Sequence, residues 1–498
     1  MEIKVNLNNL KFRYEVYQLF NVYYPMKEIK FLEKQEAEKD FKPLKNEEAV
    51  KDNMSFEKDE EVYIFYIDEE ILRFEYKDYY KEESLGEDIK NSLRRFLFLC
   101  LKNITHDIYP WGILIGIRPS KIALKLIKEG NTEEEVIEIF KERYLAHTDK
   151  AQLCIDVAKA EERIVNRNKN NIAIYIGMAF CPTKCLYCSF TSNPIGVHQK
   201  MVMPYLEALI KEIRGISEYV KEKNLNIESV YFGGGTPTSV NDKEFMMVMN
   251  EIYDNFIKDN NVKEFTVECG RPDTLTYNKL QTMKDCNVDR ISINPQTMND
   301  KTLKLIGRTH SSEDIKEKFK MARDLGFDDI NMDIIIGLPG ENHEDMIHTK
   351  NELIKLKPDS ITVHGLALKR GSRMYEEFIL KKGMKMTPQE EIIKMYEESR
   401  TLAENLGLSP YYMYRQKNMV GNLENLGYAK EGKECIYNIQ MIEERQTTIA
   451  LGAAAVSKVI FLEEDRLERF PNLKDLHEYI SRVDEMIERK KNLLDTLY

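Results

Sequence analysis

The spacing of hydrophobic and polar positions changes along this chain, and each change marks a part. From Val62 to Tyr76 apolar and polar residues alternate with a period of two, broken by an acidic centre, which predicts a β-hairpin. Tyr14 to Phe20 has helical spacing. From Leu85 onward the period is helical through IKNSLRRFLFLCLKNI, SKIALKLIK and TEEEVIEIFKERY. The last of these opens with Thr132 three residues before Glu135, the spacing of a capping box. AQLCIDVAKAEERIV, near 150–165, predicts two further helices. Together these features predict a small α+β domain followed by helices over 1–165. Within it PWGILIGIRPSK (Pro110 to Lys121) carries the only tryptophan, Trp111. That stretch is read either as a buried hinge or as one wall of an active site.

Over 166–375 short apolar runs alternate with longer amphipathic ones. The predicted strands are IAIYIGM, SVYFGG, EFTVEC, DRISINPQ, DINMDIIIGLP and DSITVHGL, separated by helical patterns such as VMPYLEALIKEIRGISEYVKEK and SEDIKEKFKMARDLGF. Strict β–α alternation means parallel strands joined by helical crossovers. Six such units predict an α/β fold, a full or partial (β/α)6 barrel of the TIM type, with ligands at the carboxyl ends of the strands. After Tyr375 the pattern changes again: a long helix (PQEEIIKMYEESRTLAENLG), then strand-like runs around CIYNIQ and TTIALGAAAVSKVIF, then a charged helix. This predicts a C-terminal α+β extension over 376–498 that lids or lengthens the barrel.

Composition narrows the class. A net charge of −11 gives no global attraction to nucleic acid or to an anionic membrane. No apolar run is long enough to span a bilayer, and Lys458 breaks the nearest one. MEIKVNLNNL does not have the form of a signal peptide. The expectation is therefore a cytoplasmic protein whose eight cysteines are reduced thiols.

Three of those cysteines carry the chemistry. CPTKCLYCSF places Cys181, Cys185 and Cys188 in a C-x3-C-x2-C loop directly after the first barrel strand. An incomplete zinc site or a redox sensor has this look, but structural zinc takes four closed ligands. Three thiols with no nearby fourth Cys or His suit an iron–sulfur cluster with one iron open to a ligand that is not protein. The other strand ends are also chemically loaded: GGGTPT (Gly233 to Thr238), Glu268, Gln296, Asp333 and His364, with Arg308 shortly after Gln296. Consecutive glycines let a backbone approach a ligand and leave free N–H donors. Carboxylates suit ribose hydroxyls and an ammonium, and Arg308 suits bidentate pairing with a carboxylate. In a barrel these groups meet around one cavity, as a polar cradle for an amino acid fused to a nucleoside.

YIGMAFCPTKCLYCSF, YFGGGTPT, RISINPQTMNDKTLKLIGRTHS and INMDIIIGLPGENHEDM, in this order, resemble the radical S-adenosylmethionine (SAM) enzymes. Within these, the chain resembles the oxygen-independent coproporphyrinogen III oxidase family. The N-terminal region with TVHGLALKRGSR, YYMYRQKNMVGNLENLGY and IALGAAAVSKV looks like its HemZ-type branch. The resemblance implies that Cys181, Cys185 and Cys188 ligate one [4Fe–4S] cluster. It implies SAM contacts at Tyr175, Tyr187, Gly234, Gly235, Thr236, Glu268, Gln296, Arg308, Asp333 and Ala367, some of them open to serving a second SAM molecule. A low-potential donor such as flavodoxin or ferredoxin would reduce the cluster, and SAM would be cleaved to methionine and a 5′-deoxyadenosyl radical. In the family that radical takes a hydrogen from a propionate β-carbon, and loss of CO2 and an electron leaves a vinyl group. A tetrapyrrole with carboxylate arms needs cations and aromatic faces. Lys369, Arg370 and Arg373 after the sixth strand, and Arg415 and Lys417 in YYMYRQKN, supply them. The chain departs from the well-studied oxidases around the triplet, where it has Gly177 and Phe190, and at Asn294-Pro295 before Gln296. Other implied outcomes are radical SAM chemistry on another tetrapyrrole (haem degradation or methyl transfer) and haem carriage. The haem-chaperone relatives' C-terminal His-Asn and Tyr-Trp signature is absent.

Overall fold

A computed structural model describes residues 2–25, 27–32, 62–115, 118–165, 167–369, 371–381, 387–416 and 419–498. The chain forms two compact units: Met1–Cys154 with Arg415–Leu423, and Ile155–Tyr414 with Glu424–Tyr498. This division differs from the expected 1–165, 166–375 and 376–498. The first unit ends earlier and takes in a segment from beyond residue 400. The C-terminal region shares one body with the barrel because its strands join the barrel's own sheet.

The first unit is built on a five-stranded sheet of β1 (Glu2–Leu7), β2 (Glu28–Phe31), β3 (Val62–Ile67), β4 (Ile71–Tyr76) and β5 (Tyr79–Ser84), in the order β2-β1-β3-β4-β5. The expected hairpin is β3–β4, with Phe65 opposite Phe74. Its acidic break is a turn in which the Asp68 carboxylate accepts from the Glu70 and Ile71 amides. Buried positions alternate on both strands and face helices Arg13–Tyr23 and Ile89–Thr105 in one core. The Thr132–Glu135 capping box is formed in both directions. The two helices expected near 150–165 are a single helix, Thr148–Ile164, because nothing in that stretch breaks the helical period. Trp111 is fully buried.

The second unit holds the six expected parallel strands: β6 (Asn171–Met178), β9 (Asn226–Gly234), β10 (Glu264–Glu268), β11 (Arg290–Ser292), β12 (Ile330–Ile336) and β13 (Ser360–Gly365). Between β6 and β9 lies a two-stranded ribbon, β7 (Phe180–Cys181) with β8 (Asn193–Pro194). The six strands pair in chain order. The region after 376 extends both edges. β14 (Ser409–Tyr414) and β15 (Asn425–Ala429) continue the sheet antiparallel beyond β13, whereas β16 (Thr447–Leu451) runs parallel beside β6. β17 (Val456–Phe461) and β18 (Arg466–Pro471) complete eleven strands. The fold is thus an open α/β barrel lengthened at both edges.

One expected element changes type. CIYNIQ was read as strand-like, but Ile436–Glu443 is a helix. The cause lies 172 positions away: the buried Glu264 carboxylate accepts from the Ile436 amide at 2.5 Å and the Tyr437 amide at 3.2 Å. A carboxylate at a helix N-terminus satisfies orphan donors and complements the helix dipole. Glu264→Ala should therefore destabilise the protein by about 1–2 kcal/mol, as lost caps do. Urea denaturation checks this, and an unchanged midpoint would refute the capping role.

Candidate active site

The Cys loop is fixed by backbone pairing at both ends. Asn193 N–H donates to Ala179 O at 2.9 Å and Ile195 N–H to Cys181 O at 2.8 Å, so the β7–β8 ribbon closes the loop at its base. Leu186 N–H donates to Ile306 O, Thr183 Oγ1 to Gly307 O, and Met374 N–H to Leu186 O. The three cysteines sit on this pinned segment as free thiols, with Cys185 buried and the other two partly so.

GGGTPT lies against the loop's entry. Gly235 N–H donates to Met178 O at 2.7 Å and Thr236 N–H to Phe180 O at 2.8 Å. Those two donors are therefore not free for a ligand, contrary to the reading from sequence. A Cβ at Gly235 would stand 2.4 Å from Phe180 O, and one at Gly234, whose φ is +98°, would stand 2.8 Å from Met178 N and O. The glycines are needed so that two strand ends can touch. Thr236 Oγ1 lies 3.4 Å from Cys181 Sγ.

On the far side of the loop stands Arg271, which sequence reading passed over. Its guanidinium donates to Asp273 through Nε (2.9 Å) and Nη2 (2.8 Å), to Thr309 Oγ1, to Thr183 Oγ1 and, through Nη1 at 3.7 Å, to Cys185 Sγ. Burial opposes the Asp273 charge, but the bonds from His310, Arg271 and Thr309 hold its carboxyl well below the usual range. The signal was present in ECGRPDT, opposite charges two apart at a strand end.

Arg308 is also buried. Nη1 donates to Asn294 O (2.7 Å) and Gly270 O (3.1 Å), and Nη2 to Tyr187 OH (3.1 Å). Its Nη1 is thus taken up by two carbonyls and its Nη2 meets a phenol, which leaves Nε and the second Nη2 hydrogen as the edge open to a ligand carboxylate. A buried guanidinium has to satisfy its donors, and only Nε lacks a partner.

Inside the barrel, Tyr231 OH donates to Glu268 Oε1 at 2.5 Å. Burial, with Asp333 nearby, pushes Glu268 up to about 7. Burial would also raise Asp333, but His364 (3.7 Å) and Asn331 Nδ2 (2.7 Å) outweigh it and hold that carboxyl below its ordinary value. Two interior carboxyls are thus set apart in proton affinity. Gln296 follows β11 with φ +67°, uncommon for a residue with a side chain, and its buried Oε1 has no partner. Tyr175 stacks at 6.1 Å on both Tyr231 and Tyr437, the latter carried by the helix that Glu264 caps. Sequence offered no pointer to Tyr437.

The expected cations divide. Lys369 lies by the Cys loop, its ammonium 6.0 Å from the Phe190 ring. Ala367 is half-buried after β13. Arg373 begins helix Arg373–Lys381 and lies 3.7 Å from Glu377. Arg415 belongs to the first unit, where it stacks over Trp111 at 4.8 Å and donates to Leu114 O and Asn422 O, so the structure does not group it with the barrel residues. Arg370 and Lys417 lie outside the described residues.

The donor set fits an iron–sulfur cluster. Three thiols share one rigid loop, with a hydroxyl beside one sulfur and a guanidinium beside another. Among the described residues no three Cys, His, Asp or Glu are gathered tightly enough to grip a single ion.

Glu268 yields a pH signature. Between about pH 4.5 and 7 the folded state holds a proton that the unfolded chain has released, so stability falls as pH rises through that window. Relative to Glu268→Gln, the ligand-free wild type should lose roughly 3 kcal/mol between pH 4.5 and 8. Urea titrations across that range check this; parallel pH profiles for the two proteins would contradict it.

Comparison with known proteins agrees with this geometry. Residues 175–353 match the Radical SAM superfamily. The chain is 39% identical to the oxygen-independent coproporphyrinogen-III oxidase-like protein HemZ of Bacillus subtilis (strain 168), over 84% of this chain and 83% of that protein. It is 31% identical to the heme chaperone HemW of the same organism over 53% of this chain and 65% of that one. Among solved structures, coproporphyrinogen III oxidase (HemN) from Escherichia coli aligns with a TM-score of 0.51 at 21% identity, over 68% of this chain and 73% of that one, which shows a shared fold. A radical SAM fold implies a [4Fe–4S] cluster and SAM. The chain belongs to the radical SAM superfamily and, within it, to the HemZ branch of the oxygen-independent coproporphyrinogen III oxidase family.

Proposed function

We propose that this protein is an oxygen-independent coproporphyrinogen III dehydrogenase, converting two propionates to vinyls in porphyrin and haem biosynthesis. The observation that carries this reading is the pinned three-cysteine loop facing a polar barrel interior, in a chain so similar to HemZ over most of its length. Cys181, Cys185 and Cys188 hold the cluster. Gln296, with its strained backbone and unpartnered buried oxygen, is the best-supported contact to SAM. To the same SAM site we assign Glu268, Asp333, Tyr175, Tyr187 and Ala367, with Gly234, Gly235 and Thr236 at its strand ends and Arg308 positioning Tyr187. Some of these positions could serve a second SAM.

When bound, the cluster and SAM supply the one-electron chemistry that removes a hydrogen from the substrate. The chain's own work is to hold and orient. Glu268, about half protonated near pH 7, can donate as well as accept a hydrogen bond. Asp333 stays ionised and suits hydroxyls or an ammonium. The interior tyrosines and the pinned loop exclude water from the reacting centre. Lys369, beside the Cys loop, is placed for a propionate arm, and Arg370 and Lys417 keep that proposed role from sequence. The reductant is a low-potential carrier of the flavodoxin or ferredoxin class. The setting is cytoplasmic, in keeping with the absence, among the described residues, of any helix long and apolar enough to cross a membrane.

A second reading, haem carriage, draws on the similarity to HemW. Strictly anaerobic incubation with SAM, a reductant and coproporphyrinogen III separates the two. The dehydrogenase yields 5′-deoxyadenosine and a product lighter by two CO2 and four hydrogens. Tight stoichiometric haem binding without turnover points to carriage, and a different mass change to another tetrapyrrole reaction. Cys181→Ala should lose the brown colour and all SAM cleavage; full cluster retention in that variant would remove the basis of the proposal.

A further inference from the structure

Arg271 has no part in the reading so far, yet it is the one buried cation in hydrogen-bonding reach of a cysteine of the triplet among the described residues. We infer that Arg271 tunes the reduction potential of the cluster by donating a charged hydrogen bond to the Cys185 sulfur, with Asp273 and Thr309 fixing the guanidinium in that pose. The inference rests on the reading that the triplet holds a [4Fe–4S] cluster.

The geometry favours tuning over a purely structural clamp. A clamp requires only the Asp273 fork, which Nε and Nη2 complete by themselves. Nη1 is directed elsewhere, to Thr183 Oγ1 at 2.9 Å and Cys185 Sγ at 3.7 Å, both inside the Cys loop. Pro272 separates the two charged residues and restricts the backbone between them. His310, its side chain fully buried, stands 3.5 Å from Asp273. Burial holds it below its ordinary pKa, so it adds no competing positive charge near neutrality.

The consequence follows from charge. One-electron reduction by a low-potential donor adds a negative charge to the cluster. A buried cation bonded to a ligand sulfur stabilises the reduced form more than the oxidised one, in a site where low dielectric magnifies the effect. Hydrogen bonds to cluster sulfurs are a recognised control of potential. Arg271 therefore makes the cluster easier to reduce.

The test is an EPR-monitored redox titration of reconstituted wild type, Arg271→Met, Arg271→Lys and Thr309→Val, with iron and sulfide content measured alongside. At the wild-type midpoint potential, the ratio of reduced to oxidised cluster in Arg271→Met should fall by about tenfold, a midpoint about 59 mV more negative for a one-electron couple. Arg271→Lys should shift less, because it keeps the charge and loses the fork. Thr309→Val, which removes an anchor of the guanidinium without changing any charge, should shift in the same direction by a smaller amount. An unchanged midpoint in any Arg271 variant that retains its iron would overturn the inference. If both Arg271 variants fail to assemble, an unchanged midpoint in Thr309→Val overturns it instead. Failure of the wild type itself to take up iron would count against the cluster reading, which keeps the two outcomes distinct.

Discussion

Two backbone hydrogen bonds, Gly235 N–H to Met178 O and Thr236 N–H to Phe180 O, hold the first two barrel strand ends together, and the site depends on that contact. It sets where the Cys loop starts. It also forces glycine at positions where any Cβ would strike the backbone. With the entry fixed, the β7–β8 ribbon closes the loop and the turn at Ile306–Gly307 seats its middle. The thiols thus sit on a segment that the fold pins at its base and its middle.

The surroundings obey a second constraint. Charges this deep must be matched, and each is. Arg271 meets Asp273, Arg308 meets carbonyls and Tyr187, Arg290 pairs with Asp329 at 2.7 Å, and Glu264 caps a helix. Two buried side-chain atoms of this site are left without a partner. Gln296 Oε1 and Arg308 Nε are polar, buried and lack partners, beside the cavity where SAM is proposed to lie. Unsatisfied buried groups are costly in a folded chain and call for an explanation, and a ligand supplies one.

Much of the barrel was legible in the sequence because β–α alternation is local. Six strands could be read from apolar runs, and order alone put Glu268, Gln296, Asp333 and His364 at neighbouring strand ends. Legibility failed wherever the decisive partner was distant. CIYNIQ has the composition of a strand, yet becomes a helix because Glu264 lies far away in sequence. Arg308 has the chemistry to grip a carboxylate, but the two carbonyls that fix its Nη1 are brought near only by the fold. Arg415 follows an aromatic strand of the barrel unit, yet its guanidinium stacks on Trp111 in the other unit. The domain boundary moved for a related reason: β15 and β16 pair with β13 and β6, and strand pairing leaves no local mark.

The central claim is that the three-cysteine loop holds a [4Fe–4S] cluster whose open iron takes SAM. The most direct measurement is the EPR spectrum of the anaerobically reconstituted, reduced protein with and without SAM. The account predicts the signal of a single reduced [4Fe–4S] cluster whose g-values shift when SAM is added. A spectrum that SAM leaves unchanged, or a protein that takes up iron without forming such a cluster, would contradict it.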